Sequence, residues 1–307
     1  MSNEKRKRRP GDRPDGYWLR DEEDSIHGIM PYLYPNRADN EAFIQECVDL
    51  GPVNAYVDKK NAELKAKVEA GELPPSALED PYKMFQVILA ALVKTMTLRP
   101  KLNRFIAHYK LYQRNDLILG FVVKKKFADN GGEALAFIKF GPESSINTVH
   151  EKIVEEINFC RKEDTVDNST NMMDKFIKAP AFLLRIAFAF IRAFDKRGWM
   201  PYSLIKTDPD YASAFITNLG SIGLKSGYHH LSNWGTVSFF MILGEKRWKP
   251  IYDKDGNMEM HEVIDIGLTV DERIADGFYF SRSVKLFKHL LAHPELLETR
   301  ADEPVEF

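Results

Sequence analysis

The chain has 307 residues, is 44% hydrophobic and 29% charged, and carries a formal net charge of −2. Such a composition specifies a folded protein of one large or two small domains, and its near-neutral balance argues against a nucleic-acid partner. Two cysteines, Cys47 and Cys160, show no metal-ligand or redox spacing, so no metal site and a reduced, cytoplasmic compartment are expected.

Residues 1–20 read as a flexible charged arm, basic at "KRKRRP" and followed by acidic "DEED" at 21–24. The first residues are charged rather than apolar, so no signal peptide is expected. "NEAFIQECVDLG" (40–51) reads as a strand from its alternation at Phe43, Gln45, Cys47 and Asp49. "NAYVDKKNAELKAKVEAGE" (54–72) is an exposed helix rich in Lys, Glu and Ala, ended by "LPPS". "DPYKMFQVILAALVKTMTLRP" (80–100) is apolar on most faces. It predicts a buried helix with Asp80 as N-cap, Pro81 at the first position and a stop before Pro100.

A strand is expected over 117–127, a turn at "DNGG" (129–132) and a returning strand over 133–141. Ile146, Val149, Ile153, Val154 and Ile157 mark one face of a helix over 145–163. A second helical stretch covers about 170–196, with a kink or restart at Pro180. Lys178, Arg185 and Arg192 recur every seven residues there and share a face. That face is either solvated or meets an acidic partner, a membrane surface or the phosphates of a ligand. The apolar run "APAFLLRIAFAFIRAF" (179–194) is interrupted by Arg185 and Arg192, so no membrane span is expected.

The last third is strand-like. "SAFITNLGSIG" (213–223) runs into glycines, and 235–252 and 258–270 form a hairpin through "DKDGN". Residues 278–293 close the chain as a helix with Leu286, Phe287, Leu290 and Leu291 inward. Helices mix with strands without regular alternation, which predicts an α/β (α+β) two-layer domain on a mixed sheet.

Phosphate-loop, GxSxG and dinucleotide glycine motifs are absent, and "HEKIV" and "HEVID" lack the second histidine of a zinc protease helix. His229 and His230 are adjacent. On a strand they would face opposite ways, which disfavours a joint metal site but leaves one of them free to face a cleft.

"IDIGLTVDERIADGFYFSRSVKLFKHLLAHPELL" (264–297) resembles the C-terminal signature of the dihydrolipoyl acyltransferases of 2-oxo acid dehydrogenase complexes. That signature is a strand, then DHRxxDG, then a helix; the chloramphenicol acetyltransferase-like relatives carry HHxxxDG. "TNLGSIG" (217–223) is similar to the family's Ser-Asn-x-Gly segment, and 98–126 to its central helix-to-strand passage. The resemblance spans roughly 20–295, which sets off 1–20 as the arm and 296–307 as a tail.

The resemblance implies a two-layer sandwich, a homotrimer with its active site between subunits, and coenzyme A as substrate. No lipoyl or subunit-binding domain is read ahead of residue 20, so a free-standing trimer is expected. The family's catalytic histidine falls on Glu272, and Arg273, Asp276 and Gly277 fall on its structural motif. The Asp would brace the loop by a salt bridge to an arginine, and the glycine would allow a turn or close approach. Thr217 aligns with the hydroxyl expected to meet the oxyanion, and His230 or His229 is the alternative base.

Histidine suits this base because its pKa of about 6.5 lies near operating pH. Proton transfer from a thiol at about 8.5 costs roughly 3 kcal/mol to histidine but about 6 kcal/mol to an ordinary glutamate. Burial of Glu272 would reduce that cost. Two readings follow: a coenzyme-A-dependent acyltransferase with an exchanged base, or a non-catalytic trimeric scaffold or acyl-CoA-binding protein.

Overall fold

The structure is a computed structural model that describes residues 7–20, 25–124, 133–161, 180–206 and 208–307. Elements in chain order are β1 (Gly16–Trp18), α1 (Ser25–Leu33), β2 (Glu41–Asp49), α2 (Gly51–Glu69), α3 (Met84–Leu98), β3 (Arg104–Ala107) and β4 (Lys110–Arg114). They continue with β5 (Leu117–Lys124), β6 (Glu133–Phe140), α4 (Ile146–Arg161), α5 (Ala181–Lys196), α6 (Tyr202–Ile205), β7 (Ala214–Asn218), β8 (Phe239–Tyr252), β9 (Met258–Asp271) and α7 (Gly277–Ala292). Expectations that fall on 1–6, 21–24, 125–132 and 162–179, including the turn at 129–132 and Lys178, lie outside the described residues.

Six strands form one sheet in the order β2-β9-β8-β7-β5-β6, with β7 parallel to both neighbours and the other pairs antiparallel. The mixed sheet and two-layer class expected from the sequence are present. β1, β4 and β3 make a separate small sheet that the sequence reading did not resolve.

Side chains alternate across a sheet, so each strand feeds two faces. Phe239, Met241, Leu243, Ile264, Ile266, Leu268 and Ile216 point to one face and form the main core with α2, α3, α4 and α7. The eleven consecutive residues Gln86–Met96 of α3 are all buried, which bears out the reading of that helix. Truncating Leu92 or Ile88 there to alanine would cost about 2–5 kcal/mol. The opposite face carries Phe215, Phe240 and Ile242, covered by Leu219, Leu231 and Val237 from the irregular segment between β7 and β8.

Asp80 is not the cap of α3. The helix starts after Lys83, whose backbone N–H donates to the Gln86 side chain at 2.6 Å, while Asp80 accepts from Asn158 on α4 at 3.0 Å. A tertiary contact has claimed the capping carboxylate.

Residues 7–20 are not a loose arm. β1 pairs with β4, and Arg13 is buried between Asp15 at 3.0 Å and Asp195 at 2.7 Å. Nor do residues 296–307 trail free. Leu297 and Ala301 join the core, and the buried Lys94 donates to Thr299 Oγ1 at 2.7 Å and the Arg300 carbonyl at 2.8 Å.

Candidate active site

β9 ends on Asp271, which is fully buried. Its carboxylate takes Arg273 through two bonds, Nε to Oδ1 at 2.8 Å and Nη2 to Oδ2 at 2.7 Å, and the Arg273 backbone N–H at 3.2 Å. Arg37 approaches the same carboxylate at 3.7 Å. One buried anion therefore faces two buried cations.

The excess charge is met by carbonyls. Arg273 donates to Tyr34 O at 3.0 Å, and Arg37 donates to Ser232 O at 2.6 Å, Gly235 O at 3.1 Å and Ile106 O at 3.2 Å. Burial pushes the Arg37 guanidinium below its ordinary value; Asp271 opposes that shift and Arg273 adds to it. This frame ties the end of β9 to the segments around residues 34–37 and 232–235, two hundred positions apart in sequence.

Glu272 sits between the two halves of that ion pair and points outward. It is exposed and makes no hydrogen bond or ion pair among the described residues. The burial that would have adapted it as a base is therefore absent within one chain. Arg273 pairs with Asp271 rather than with Glu272, so it is structural.

Asp276 has a different role from the expected salt bridge. It is exposed and caps α7, accepting the Tyr279 backbone N–H at 2.8 Å. The buried Asp271 is the acid that pairs with arginine. Gly277 is the first residue of α7, and a Cβ there would meet nothing within 4 Å, so no close approach requires the glycine.

Thr217 lies on β7, opposite Ile242 of β8, which is opposite Gly267 of β9. Asp271 instead lies at the level of Ser238, to whose carbonyl its backbone N–H donates at 3.0 Å. Thr217 and Glu272 are thus at least four strand positions and two strand spacings apart, about 13 Å along and about 10 Å across. A base and an oxyanion donor must both reach the reacting atoms at about 3 Å. Within one chain they cannot do so.

After Thr217, Asn218 caps a short turn by accepting from Ser221 N at 3.2 Å. The chain then runs over a bare track on the sheet. A Cβ at Gly244 would lie 2.4 Å from Ser226 N, and one at Gly267 would lie 1.9 Å from Gly227 O. Only glycine permits this close approach.

The track delivers His229 and His230 to the sheet face that carries Phe215 and Phe240. They are not on a strand, and their rings do not diverge. His229 stacks on His230 at 4.5 Å and on Phe240 at 4.3 Å. Phe240 is opposite Thr269, two residues before Asp271, so the histidines lie nearer the Glu272 end than Thr217 does.

Sequence patterns did not single out Asp208 and Asp210 of "DPD", of which Asp210 interacts with His230 and Asp208 accepts from the Trp234 indole at 2.8 Å. Burial first, and Asp208 next, push Asp210 up to about 6, while Ser232, Arg37 and His230 draw it down. The signal available in sequence was a pair of acids two residues apart just before a strand. No group of three or more His, Cys, Asp or Glu side chains able to hold a metal occurs among the described residues. One cavity is lined by Asp15, Arg114, Tyr202 and Asp208 itself and another lies under α3 and α7, and neither is lined by Glu272, Thr217 or His230.

The fold is that of the chloramphenicol acetyltransferase-like acyltransferase cores. Residues 204–299 match the family model of the 2-oxoacid dehydrogenases acyltransferase (catalytic domain), the segment that carries β7 to α7 and the Glu272 turn. Among solved structures, a probable dihydrolipoamide acetyltransferase from Listeria monocytogenes 4b F2365 is similar at 15% identity. It has a TM-score of 0.54, with 89% of this chain and 95% of that chain covered. The cubic core of the pyruvate dehydrogenase multienzyme complex is similar at 14% identity and a TM-score of 0.51, covering 89% and 88%. A chloramphenicol acetyltransferase is similar at 13% identity and a TM-score of 0.51, covering 90% and 99%. No curated protein matches the chain in sequence.

Proposed function

We propose that the protein is a coenzyme-A-dependent acyltransferase that works as a homotrimer, with Glu272 of one subunit and Thr217 of the next meeting across a shared site. The observation that carries this reading is the separation of the two residues in the sheet register. Both sit in motifs of the acyltransferase family, yet four strand positions keep them apart in one chain. A second copy resolves that distance.

In this reading Glu272 takes the proton from the thiol of coenzyme A or from the acceptor, and the freed sulfur or oxygen attacks the acyl carbonyl. Thr217 donates to the oxygen that becomes negative in the tetrahedral intermediate. Collapse of the intermediate expels the leaving group, which takes the proton back. The uphill transfer to a glutamate, about 6 kcal/mol for an ordinary carboxyl, falls when the neighbouring subunit buries Glu272. Exposed apolar residues on the far part of the β8–β9 hairpin, Trp248, Ile251, Tyr252, Met258 and Met260, support an assembly that covers them.

A second reading, a non-catalytic scaffold or acyl-CoA-binding protein, is favoured by the exposure of Glu272 and its lack of any partner among the described residues. Incubation with acetyl-CoA and a thiol-trapping reagent separates the two. Release of coenzyme A by the wild type and its loss in Glu272→Gln support the enzyme. Coenzyme A binding without release supports the scaffold. Release that survives Glu272→Gln removes Glu272 as base and makes His230→Ala the next variant. Light scattering that gives a monomeric mass would overturn the shared site.

A further inference from the structure

α5 contributes no buried residue, yet it is firmly seated. Asp195 in its last turn accepts Arg13 at 2.7 Å and the Tyr211 hydroxyl at 2.8 Å. Phe188 meets Trp234 edge-on at 6.2 Å, and Ile191 packs on the cluster of Met200, Ile205 and Tyr211. At 3.6 residues per turn these contacts fix the inner side of the helix, where Leu184, Ala187 and Ile191 are half-buried.

The outer side is apolar. Phe182, Ile186 and Phe190 recur every four residues, with Leu183 and Phe194 beside them, and Phe182 and Phe190 are 63% and 64% exposed. Arg185, Arg192 and Lys196, also exposed, run along one edge of this strip. The only acid of the helix, Asp195, is turned inward to Arg13. Just beyond, Trp199 is 62% exposed, edge-on to Phe194 at 5.8 Å, with the Arg197 guanidinium over its ring at 5.4 Å. Lys196 and Arg197 gather with Lys110 around His108, whose imidazole is lowered by burial first and then by these three cations.

We propose that α5 and Trp199 are the surface by which the protein docks on an anionic lipid bilayer. The helix lies in the plane of the membrane, with its phenylalanines at the acyl boundary and its arginines and Trp199 among the headgroups. Sixteen residues give a helix of about 24 Å, and no helix among the described residues is long and apolar enough to cross a membrane. The row of cations beside the apolar strip matches an anionic surface. A second copy docked face to face and antiparallel would set Arg185 and Arg192 against the same row, which like charge opposes.

The test uses the full-length protein and sedimentation with vesicles of phosphatidylcholine alone or with about one third phosphatidylglycerol. Binding to the anionic vesicles is expected, roughly ten-fold weaker on neutral ones and weakened by salt. Phe182→Ser with Phe190→Ser, and separately Arg185→Glu with Arg192→Glu, should each lower anionic binding roughly ten-fold with an unchanged urea midpoint, because all four side chains are exposed. Absence of vesicle binding at low salt, or binding that both double variants retain, would overturn the proposal. So would a change of oligomeric mass in the Phe182/Phe190 variant with vesicle binding intact, which would make the strip a contact between copies.

Discussion

Asp271 and Arg273, two residues apart, close a two-bond ion pair inside the fold at 2.7 and 2.8 Å. The residue between them is forced outward, so Glu272 is presented by a rigid base rather than by a loose loop. Arg37 completes the frame from the other end of the chain.

Removing the shared anion leaves two buried guanidiniums without a counter-charge. Asp271→Asn should therefore lower stability by about 3–5 kcal/mol in urea unfolding. Glu272→Ala, which touches none of these bonds, should stay within about 0.5 kcal/mol of wild type.

The base can be exchanged back. In the proposed acyltransferase, Glu272→His should lessen the cost of thiol deprotonation by up to about 3 kcal/mol, less in proportion as burial has already raised Glu272, and so raise coenzyme A release by up to about 100-fold. Steady-state release from acetyl-CoA measures it, and an unchanged rate would mean that proton transfer at this position does not limit turnover.

Asp210 predicts a pH effect. Its folded-state carboxyl is raised from 3.8 to about 6, so the folded chain holds that proton more tightly than the unfolded one. The associated stability is present below about 4 and is lost as pH rises through about 6. Asp210→Asn does not titrate. The variant's urea midpoint should therefore gain on wild type between pH 4 and pH 7, and a constant difference would show that Asp210 does not titrate there.

Gly267→Ala would place a methyl 1.9 Å from the Gly227 carbonyl. Backbone must move, so a loss of about 1–3 kcal/mol is expected, together with displacement of the segment that carries His229 and His230. Histidine ring resonances in NMR spectra read the second effect, and unshifted His229 and His230 signals would contradict it.

Much of the fold was legible because its signals are local. The body of 84–98, apolar on most faces, made a buried helix, and the Leu286, Phe287, Leu290 and Leu291 stripe made the core face of α7. The hairpin turn at 253–257 formed where Asp and Gly placed it. The cap of α3 was misread because Asp80 is drawn away by Asn158, 78 positions on. The two histidines were assigned to opposite faces on the assumption of a strand, but the glycine track holds that segment flat on the sheet and lets the rings stack.

The site was legible only as positions. "DERIADG" located the turn, but the resemblance it carries implied for Asp276 the arginine salt bridge that Asp271 makes, because nothing in seven residues tells which carboxylate ends inside the fold.

By itself the sequence determined the long helices and the strands of the main sheet, the two-layer class and the family resemblance, because periodicity and turn chemistry act over a few residues; the small β1-β4-β3 sheet left no such local signal. Only the tertiary structure decided which charges are buried together and how far apart Thr217 and Glu272 stand. It likewise decided that Phe182 and Phe190 of α5 face outward. Those outcomes depend on strand order and on contacts between segments tens to hundreds of residues apart, and burial, which sets the energy of every charge, exists only once the chain has closed on itself.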